Sequence, residues 1–524
     1  MMGSDGNFYL VDLGIGYFME TPDRNNTKTK GSRYYSSPEQ FFASTDNRVE
    51  ITYSSDLYSL GMILFEKASG SHPKSTWTSK HNGYGELITQ TDPPKIESFA
   101  TTLPKELMIF INKSLGVYKA DRFLDADQAL SVLNGTTVEE ELTGKVYLHD
   151  YGTNHSYIDP YISGEVTTKP DAIVVSAIQG ENRVKELNKL GYEVIVDPVT
   201  YRLPHPASSN DTLKKKLGYK TKAVFDADRI NSSRTEVIQK VLSLQKKSKI
   251  FILPYFAIES LDDQFLNTNK QIWSAGKAVA KDIDEFKKVY GGIVIPASIA
   301  KDTRSTDRLI NLLHSKYDLD GFYLIFESPD EKVMAIDSIG FLANVKKIIN
   351  SFSSMGDVIV AHADVTYMML CGPQNLVFGW SNSKRRFNYD NEFFGKSSGW
   401  MPKDFDPKIL YYIPQLMTLV KGEEELEQLA TFAPENTLDC GCEACDELAP
   451  YDGNTPKKLD LAARHYFLNV VDQHNALNKN GKAARVNALN EAINLTQEIK
   501  RLSRNTVGSK LIPNHEAILS VVNN

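Results

Sequence analysis

The sequence predicts a multidomain protein: a mainly α-helical N-terminal part, then an α/β barrel of the (β/α)8, TIM-like type, then a zinc-binding helical C-terminal subdomain. Three observations predict it. With 524 residues the chain is too long for one hydrophobic core. Beyond residue 170, apolar runs of strand length alternate with helical stretches, the pattern of a parallel sheet buried on both faces. Three of the four cysteines fall within six residues, which suits a metal site in a reducing compartment better than a disulfide framework.

Composition narrows the classes. An apolar content of 41% and a charged content of 24% are those of a folded protein. No apolar run approaches the roughly 18 residues needed to span a bilayer, and the N-terminus has no basic stretch followed by an apolar one. The expectation is a soluble, cytoplasmic protein with no membrane partner. A net charge of −7 provides no polybasic footprint for nonspecific binding along a nucleic acid.

The N-terminal part, residues 1–135, opens with a short strand at FYLVD, and YSSDLYSLGMILFEKAS followed by Gly70 has the period and the terminal glycine of a buried helix. Four motifs stand in order here: Asp12-Leu13-Gly14 after the strand, GSRYYSSPEQ ending in Ser37-Pro38-Glu39, SSDLYSLG with Asp56 and Gly61, and Arg122 in ADRF. This order resembles the C-lobe of Ser/Thr protein kinases. The resemblance implies that Asp12 and Gly14 belong to a metal-binding DFG-type triplet. It also implies that Glu39 of the APE-type triplet pairs with Arg122, and that Asp56 holds a catalytic-loop backbone. Phosphoryl transfer in that family also needs a Gly-rich loop, a lysine paired to a helix glutamate, and a catalytic-loop Asp and Asn. All of these would lie before residue 1, so this segment reads as a truncated kinase domain, with Mg-ATP as cofactor only if an N-lobe is supplied.

Residues 136–144, turn-prone and acidic, form the expected linker. The barrel is expected over 145–430, with strands in DAIVVSAI, YEVIVDPVTY, KIFILPYFAIE, GGIVIPASIA, GFYLIFES, DVIVAHA, NLVFGW and PQLMTLV. A doubly wound open sheet is the alternative. The last part, 431–524, contains a helical segment from Lys457 to about Arg504, broken near Asn480-Gly481.

Cys440, Cys442 and Cys445 have a C-x-C-x2-C spacing that lets three thiolates face one tetrahedral zinc, which then needs a fourth N or S ligand. His465 and His474 are nine residues apart on one helix and so point to different faces. His474 shares an apolar face with Phe467, Val470 and Val471, which leaves His465 as the ligand and zinc as a structural cofactor.

The cluster followed by a histidine and a long helix, late in a barrel chain, resembles the tRNA-guanine transglycosylase family, a pentosyltransferase class. The resemblance extends over Lys145 to Arg504 as architecture. In VIVDPVTYRL it implies that Asp197 is the base-contacting, acid/base aspartate. It aligns FGWSNSKR with the segment that carries the family's nucleophilic aspartate, which puts Gly379 at that position. Glycine cannot form a covalent glycosyl intermediate. Asp364, in AHADVTY, is the substitute on the preceding strand.

Barrel enzymes carry their chemistry at the C-terminal ends of the strands. Those ends supply Asp197, Glu327, His362 and Asp364 as acid/base candidates, and Tyr201, Tyr255, Glu259, Trp380, Lys384 and Arg385 as substrate-binding candidates. Rings for stacking and cations for phosphate suit a nucleobase or nucleotide. Strand-end acids can equally cap the following helix. The expected function is therefore binding of, or action on, a nucleic acid base or nucleotide. Two alternatives remain: a noncatalytic scaffold that docks a protein partner, and a kinase fragment awaiting its N-lobe.

Overall fold

The computed structural model describes residues 34–42, 53–73, 94–100, 102–116, 122–123, 126–133, 144–150, 169–205, 209–328, 339–371, 374–379, 387–388, 409–434, 437–438, 440–448, 455–479, 481–504 and 515–523. Residues up to Glu140 fall in one compact unit and nearly all from Glu141 onward in a second.

In the first unit the described helices are α1 (Pro38–Phe42), α2 (Tyr53–Ser69), α3 (Lys105–Ser114) and α4 (Ala126–Leu133). Helix α2 buries Leu57, Tyr58, Met62 and Phe65 against Phe110, Ile111 and Leu115 of α3 and its C-terminus. A Cβ on Gly61 would lie 2.7 Å from the Ser114 Cβ, so the close crossing of α2 and α3 requires a glycine there. Gly70 closes α2 at φ +72°, its N–H donating to the Glu66 carbonyl, the left-handed stop that favours glycine.

The second unit is built on eight parallel strands: β1 (Val146–His149), β2 (Ala172–Ser176), β3 (Val194–Asp197), β4 (Phe251–Ile252), β5 (Val289–Ile295), β6 (Gly321–Phe326), β7 (Asp357–Ala363) and β8 (Asn375–Phe378). Their order, β3-β2-β1-β8-β7-β6-β5-β4, is sequential around a ring, because β1 pairs with both β2 and β8. The ring is nearly closed. Between β3 and β4 no strand ladder forms; the Lys249 N–H donates to the Val194 carbonyl (2.6 Å) and the Val196 N–H to the Ser248 hydroxyl (2.9 Å). This is a TIM-like α/β barrel.

The connections carry α5 (Glu181–Lys189) after β2, α6 (Ser209–Lys216), α7 (Ala227–Ser232) and α8 (Arg234–Ser243) after β3, and α9 (Gln264–Lys281) after β4. Helices α10 (Ala297–Lys301) and α11 (Thr303–Leu313) follow β5, α12 (Ile339–Ser353) follows β6, and α13 (Val365–Cys371) follows β7. These β-then-α units are what continuous Val/Ile-rich runs demand, since each strand is buried on both faces.

One strand assignment is corrected. PQLMTLV does not belong to the barrel. It forms a 3-10 turn, Pro414–Leu416, and β10 (Thr418–Lys421), which pairs antiparallel with β9 (Leu410–Ile413). That run is apolar because Ile413, Leu416 and Val420 pack with Leu429 and Ile499 in a separate small core. The eighth barrel strand is instead β1.

After the hairpin come α14 (Glu423–Phe432), α15 (Glu443–Leu448), α16 (Thr455–Lys479), α17 (Gly481–Leu502) and α18 (His515–Asn523). The expected break near Asn480-Gly481 separates α16 from α17. Helix α16 packs on β1 and β9, which brings the cysteine cluster to the barrel. No helix among the described residues is long and apolar enough to cross a membrane.

Candidate metal centre and barrel mouth

Cys440, Cys442 and Cys445 converge on His465, one turn of backbone and one helix supplying all four groups. The Nδ1 of His465 lies 3.2 Å from the sulfurs of Cys442 and Cys445 and 3.6 Å from that of Cys440; Cys440 and Cys445 sulfurs are 3.3 Å apart. All four ligand atoms lie within 4.8 Å of one another. A tetrahedral zinc with bonds of about 2.3 Å to sulfur and 2.0–2.1 Å to nitrogen needs ligand atoms roughly 3.5–3.8 Å apart, so this donor set fits with small outward shifts.

Local backbone makes the convergence. Gly441 sits at φ +66°, a conformation strained for any L side chain, and the Cys445 N–H donates to the Cys442 carbonyl as α15 begins. The surroundings fix the imidazole. Because a carbonyl can only accept, the 2.7 Å contact to the Tyr412 carbonyl makes Nε2 the protonated nitrogen and leaves the Nδ1 lone pair for the metal. The Asn469 amide donates to the Cys440 sulfur (3.4 Å) and to the His465 carbonyl (2.8 Å). His474 is elsewhere: buried, edge-on to the Phe378 ring at 6.1 Å, with burial pulling its pKa down to about 4. Four protein ligands leave no open position, which makes this a structural centre able to hold zinc.

The barrel mouth gathers a second constellation. Asp197 ends β3 fully buried. Its Oδ1 accepts from the Val199 N–H (2.9 Å) and the Tyr255 hydroxyl (2.7 Å), and its Oδ2 from the Tyr323 hydroxyl (3.2 Å). The Tyr255 backbone is pinned in turn, its N–H donating to Thr200 Oγ1 and its carbonyl accepting from the same hydroxyl. Burial first, and then the charge of Asp197, pushes both phenols well above the ordinary tyrosine range. Tyr201 stacks obliquely on Tyr255 at 5.6 Å and meets Phe387 edge-on at 5.4 Å.

His362 also reaches the mouth, through a bulge at the end of β7 that gives it φ +56°. A left-handed non-glycine residue of this kind is costly and often marks a functional position. Its ring lies 5.7 Å from Phe387 and 6.1 Å from His149 at the end of β1. His149 is a mouth residue that sequence reasoning did not assign, because β1 was not read as a strand.

Other candidates have more ordinary surroundings. Asp364 is buried, and its Oδ1 accepts from the Thr366 N–H (2.9 Å) at the start of α13. Glu327 accepts from the Ala297 N–H (2.9 Å) at the start of α10. Asp364 therefore caps the helix that follows its strand, the role strand-end acids commonly take, while Glu327 reaches across to satisfy a free N–H in the first turn of α10. Glu259 is exposed. Gly379 follows β8 and is buried. Trp380, Lys384 and Arg385 lie outside the described residues, as do Asp12 and Gly14.

In the N-terminal unit Glu39 and Arg122 do meet. Two parallel bonds of 2.7 and 2.8 Å join the guanidinium to the carboxylate, and Ser55 donates to Glu39 at 2.6 Å. Arg122 also donates to the Gly116 carbonyl (2.7 Å) and lies over the Tyr58 ring. Burial alone would raise the Glu39 carboxyl; the Arg122 charge and these hydrogen bonds outweigh it and hold the group at about 2. Asp56 is exposed in the first turn of α2.

No protein-family model matches this sequence.

Proposed function

We propose that the C-terminal unit is a zinc-stapled, transglycosylase-like barrel that binds a nucleic acid base at its mouth, with Asp197 as the group that receives the base's N–H donors. The observation that carries this reading is the placement of Asp197, a buried carboxylate at a strand's C-terminal end, near Tyr201, whose ring in turn meets Phe387. Base edges offer ring N–H and amino donors, and their faces stack on aromatic rings. Of the three bonds to Asp197, the 3.2 Å bond from Tyr323 is the longest, so Oδ2 is the oxygen an entering base would take.

Zinc, held by Cys440, Cys442, Cys445 and His465, supplies a fixed junction between the cysteine turn, α16 and β9 and takes no part in chemistry. The covalent exchange of the resembled family is not part of the proposal, since Gly379 stands at the nucleophile's place and Asp364 serves as a cap. The N-terminal unit, with its Glu39–Arg122 pair, supports a kinase C-lobe-like framework that serves as a docking module for a protein partner.

The test is calorimetric titration of zinc-containing protein, at about one zinc per chain, with guanine and with adenine. A parallel assay follows incorporation of labelled guanine into tRNA and DNA. Heat of binding without incorporation, with affinity reduced at least tenfold by Asp197→Asn, is the expected result. No heat with either base rejects the reading, and incorporation at an ordinary enzymatic rate restores the covalent route.

A further inference from the structure

The strand β5 carries two consecutive glycines, Gly291 and Gly292, in a stretch buried from end to end. Neither has the positive φ that would demand glycine for its backbone. The requirement is space, and the two residues give it on opposite faces, as successive strand residues must. A Cβ on Gly291 would meet the Trp273 indole of α9 at 2.8 Å. A Cβ on Gly292 would lie 2.5 Å from Tyr255 Cγ, 2.6 Å from its Cδ1 and 2.7 Å from its Cβ.

Those atoms are at the root of the tyrosine side chain, so no rotation of its tip relieves the overlap. Its backbone cannot retreat freely either, because Thr200 holds both its N–H and its carbonyl. The side chain must swing as a whole, and its hydroxyl, 2.7 Å from Asp197 Oδ1, moves with it. Gly292 also pairs in register with Tyr323, the other phenol on the same carboxylate, and the two tyrosine rings are 5.8 Å apart.

We infer that Gly292 is a positioning residue for the mouth carboxylate: its empty face seats the Tyr255 ring, and Tyr255 in turn fixes the direction in which Asp197 presents its remaining lone pairs. The inference rests on the reading of Asp197 as a ligand-binding group for its function, but its geometry is testable without any ligand.

The experiment labels the full-length protein with carbon-13 at the tyrosine ζ position, the Tyr255 signal being identified by its absence in Tyr255→Phe. In the wild-type protein that signal shifts on Asp197→Asn. In Gly292→Ala it is displaced and no longer responds to Asp197→Asn, and guanine affinity falls about tenfold, the scale of one hydrogen bond to a charged group. A Tyr255 signal that stays in place in Gly292→Ala and still responds to Asp197→Asn overturns the inference.

A second measurement covers failure of the single variant to fold. Tyr255→Gly removes the Cβ, Cγ and Cδ1 atoms that the added methyl group would strike, so Gly292→Ala should cost far less stability in that background than alone. Equal cost in both backgrounds, or a double variant that is also unfolded, overturns the inference. Absence of guanine binding by the wild-type protein would remove the ligand reading while leaving the spectroscopic and stability results to decide the positioning role.

Discussion

Two buried carboxylates, Glu39 in the N-terminal unit and Asp197 in the barrel, are held in opposite ways. Glu39 faces a guanidinium through two parallel bonds, with a serine hydroxyl as third donor. Asp197 has three donors as well, but all are neutral: one backbone N–H and two phenols. The first carboxylate is neutralised within the protein, and its geometry has only a structural outcome. The second keeps its acceptor capacity in an aromatic surrounding and lies at the end of a barrel strand, where the proposed ligand, rich in N–H donors, would complete it. Buried charge therefore marks structure in one place and a candidate site in the other, and the nature of the donors separates the two.

The largest effect expected from this contrast is on Arg122. Arg122→Met leaves Glu39 buried beside an apolar chain, and removing one partner of a buried pair costs about 3–5 kcal/mol. Urea denaturation measures it; a loss below about 1 kcal/mol would place Glu39 and Asp197 in the same class.

Acid unfolding gives a somewhat smaller effect. The Glu39 carboxyl is depressed from its usual 4.5 to about 2, so its contribution is fully present above pH 4.5 and disappears as pH falls toward 2. The linked stability is about 3 kcal/mol at most. Urea midpoints of the wild-type protein should decline over that window more steeply than those of Glu39→Gln, and parallel declines would contradict the assignment.

The smallest stability effect is expected at Asp197. In Asp197→Asn the amide oxygen keeps the Val199 and Tyr255 bonds, and its NH2 can donate to the Tyr323 oxygen, since a phenol accepts as readily as it donates. Stability should change by less than about 1 kcal/mol while ligand affinity is lost. A destabilisation as large as that of Arg122→Met would make Asp197 a structural carboxylate too.

What was legible in the sequence follows the same division between local and distant. The metal centre could be read because three ligands stand within one short turn and the fourth within the next helix. Most barrel strands could be read because runs such as VIVD and FYLIF are buried on both faces. Strand β1 was missed: VYLH is four residues long and merges into a polar stretch, whereas PQLMTLV imitates a barrel strand because its TLV is a strand of a separate hairpin with its own small core. KIFILPYFAIE looks like a long strand, yet β4 has only two residues. Beyond Pro254 pairing is reduced to a single bridge of Ala257 to Val294, and side chains supply further holds, Asn269 bonding both the N–H and the carbonyl of Phe256. Tyr323 was invisible as a candidate site residue because a tyrosine inside an apolar strand reads as core; only the fold brings its hydroxyl to an aspartate 126 positions earlier.

The incomplete seam between β3 and β4 gives the barrel a mechanical asymmetry. Seven junctions are hydrogen-bonded strand pairs, and the eighth is a clasp of a few contacts, among them Ser248 to Val196 and Thr200 to Tyr255. A hoop resists widening equally around its circumference, but a clasped ring yields first at the clasp. Asp197 and Tyr255 stand on its two sides, joined by a phenol hydrogen bond. On the proposed reading, a ligand that draws on the carboxylate would therefore pull on the joint that holds the ring shut, so that the same few atoms would link occupancy of the mouth to the closure of the barrel.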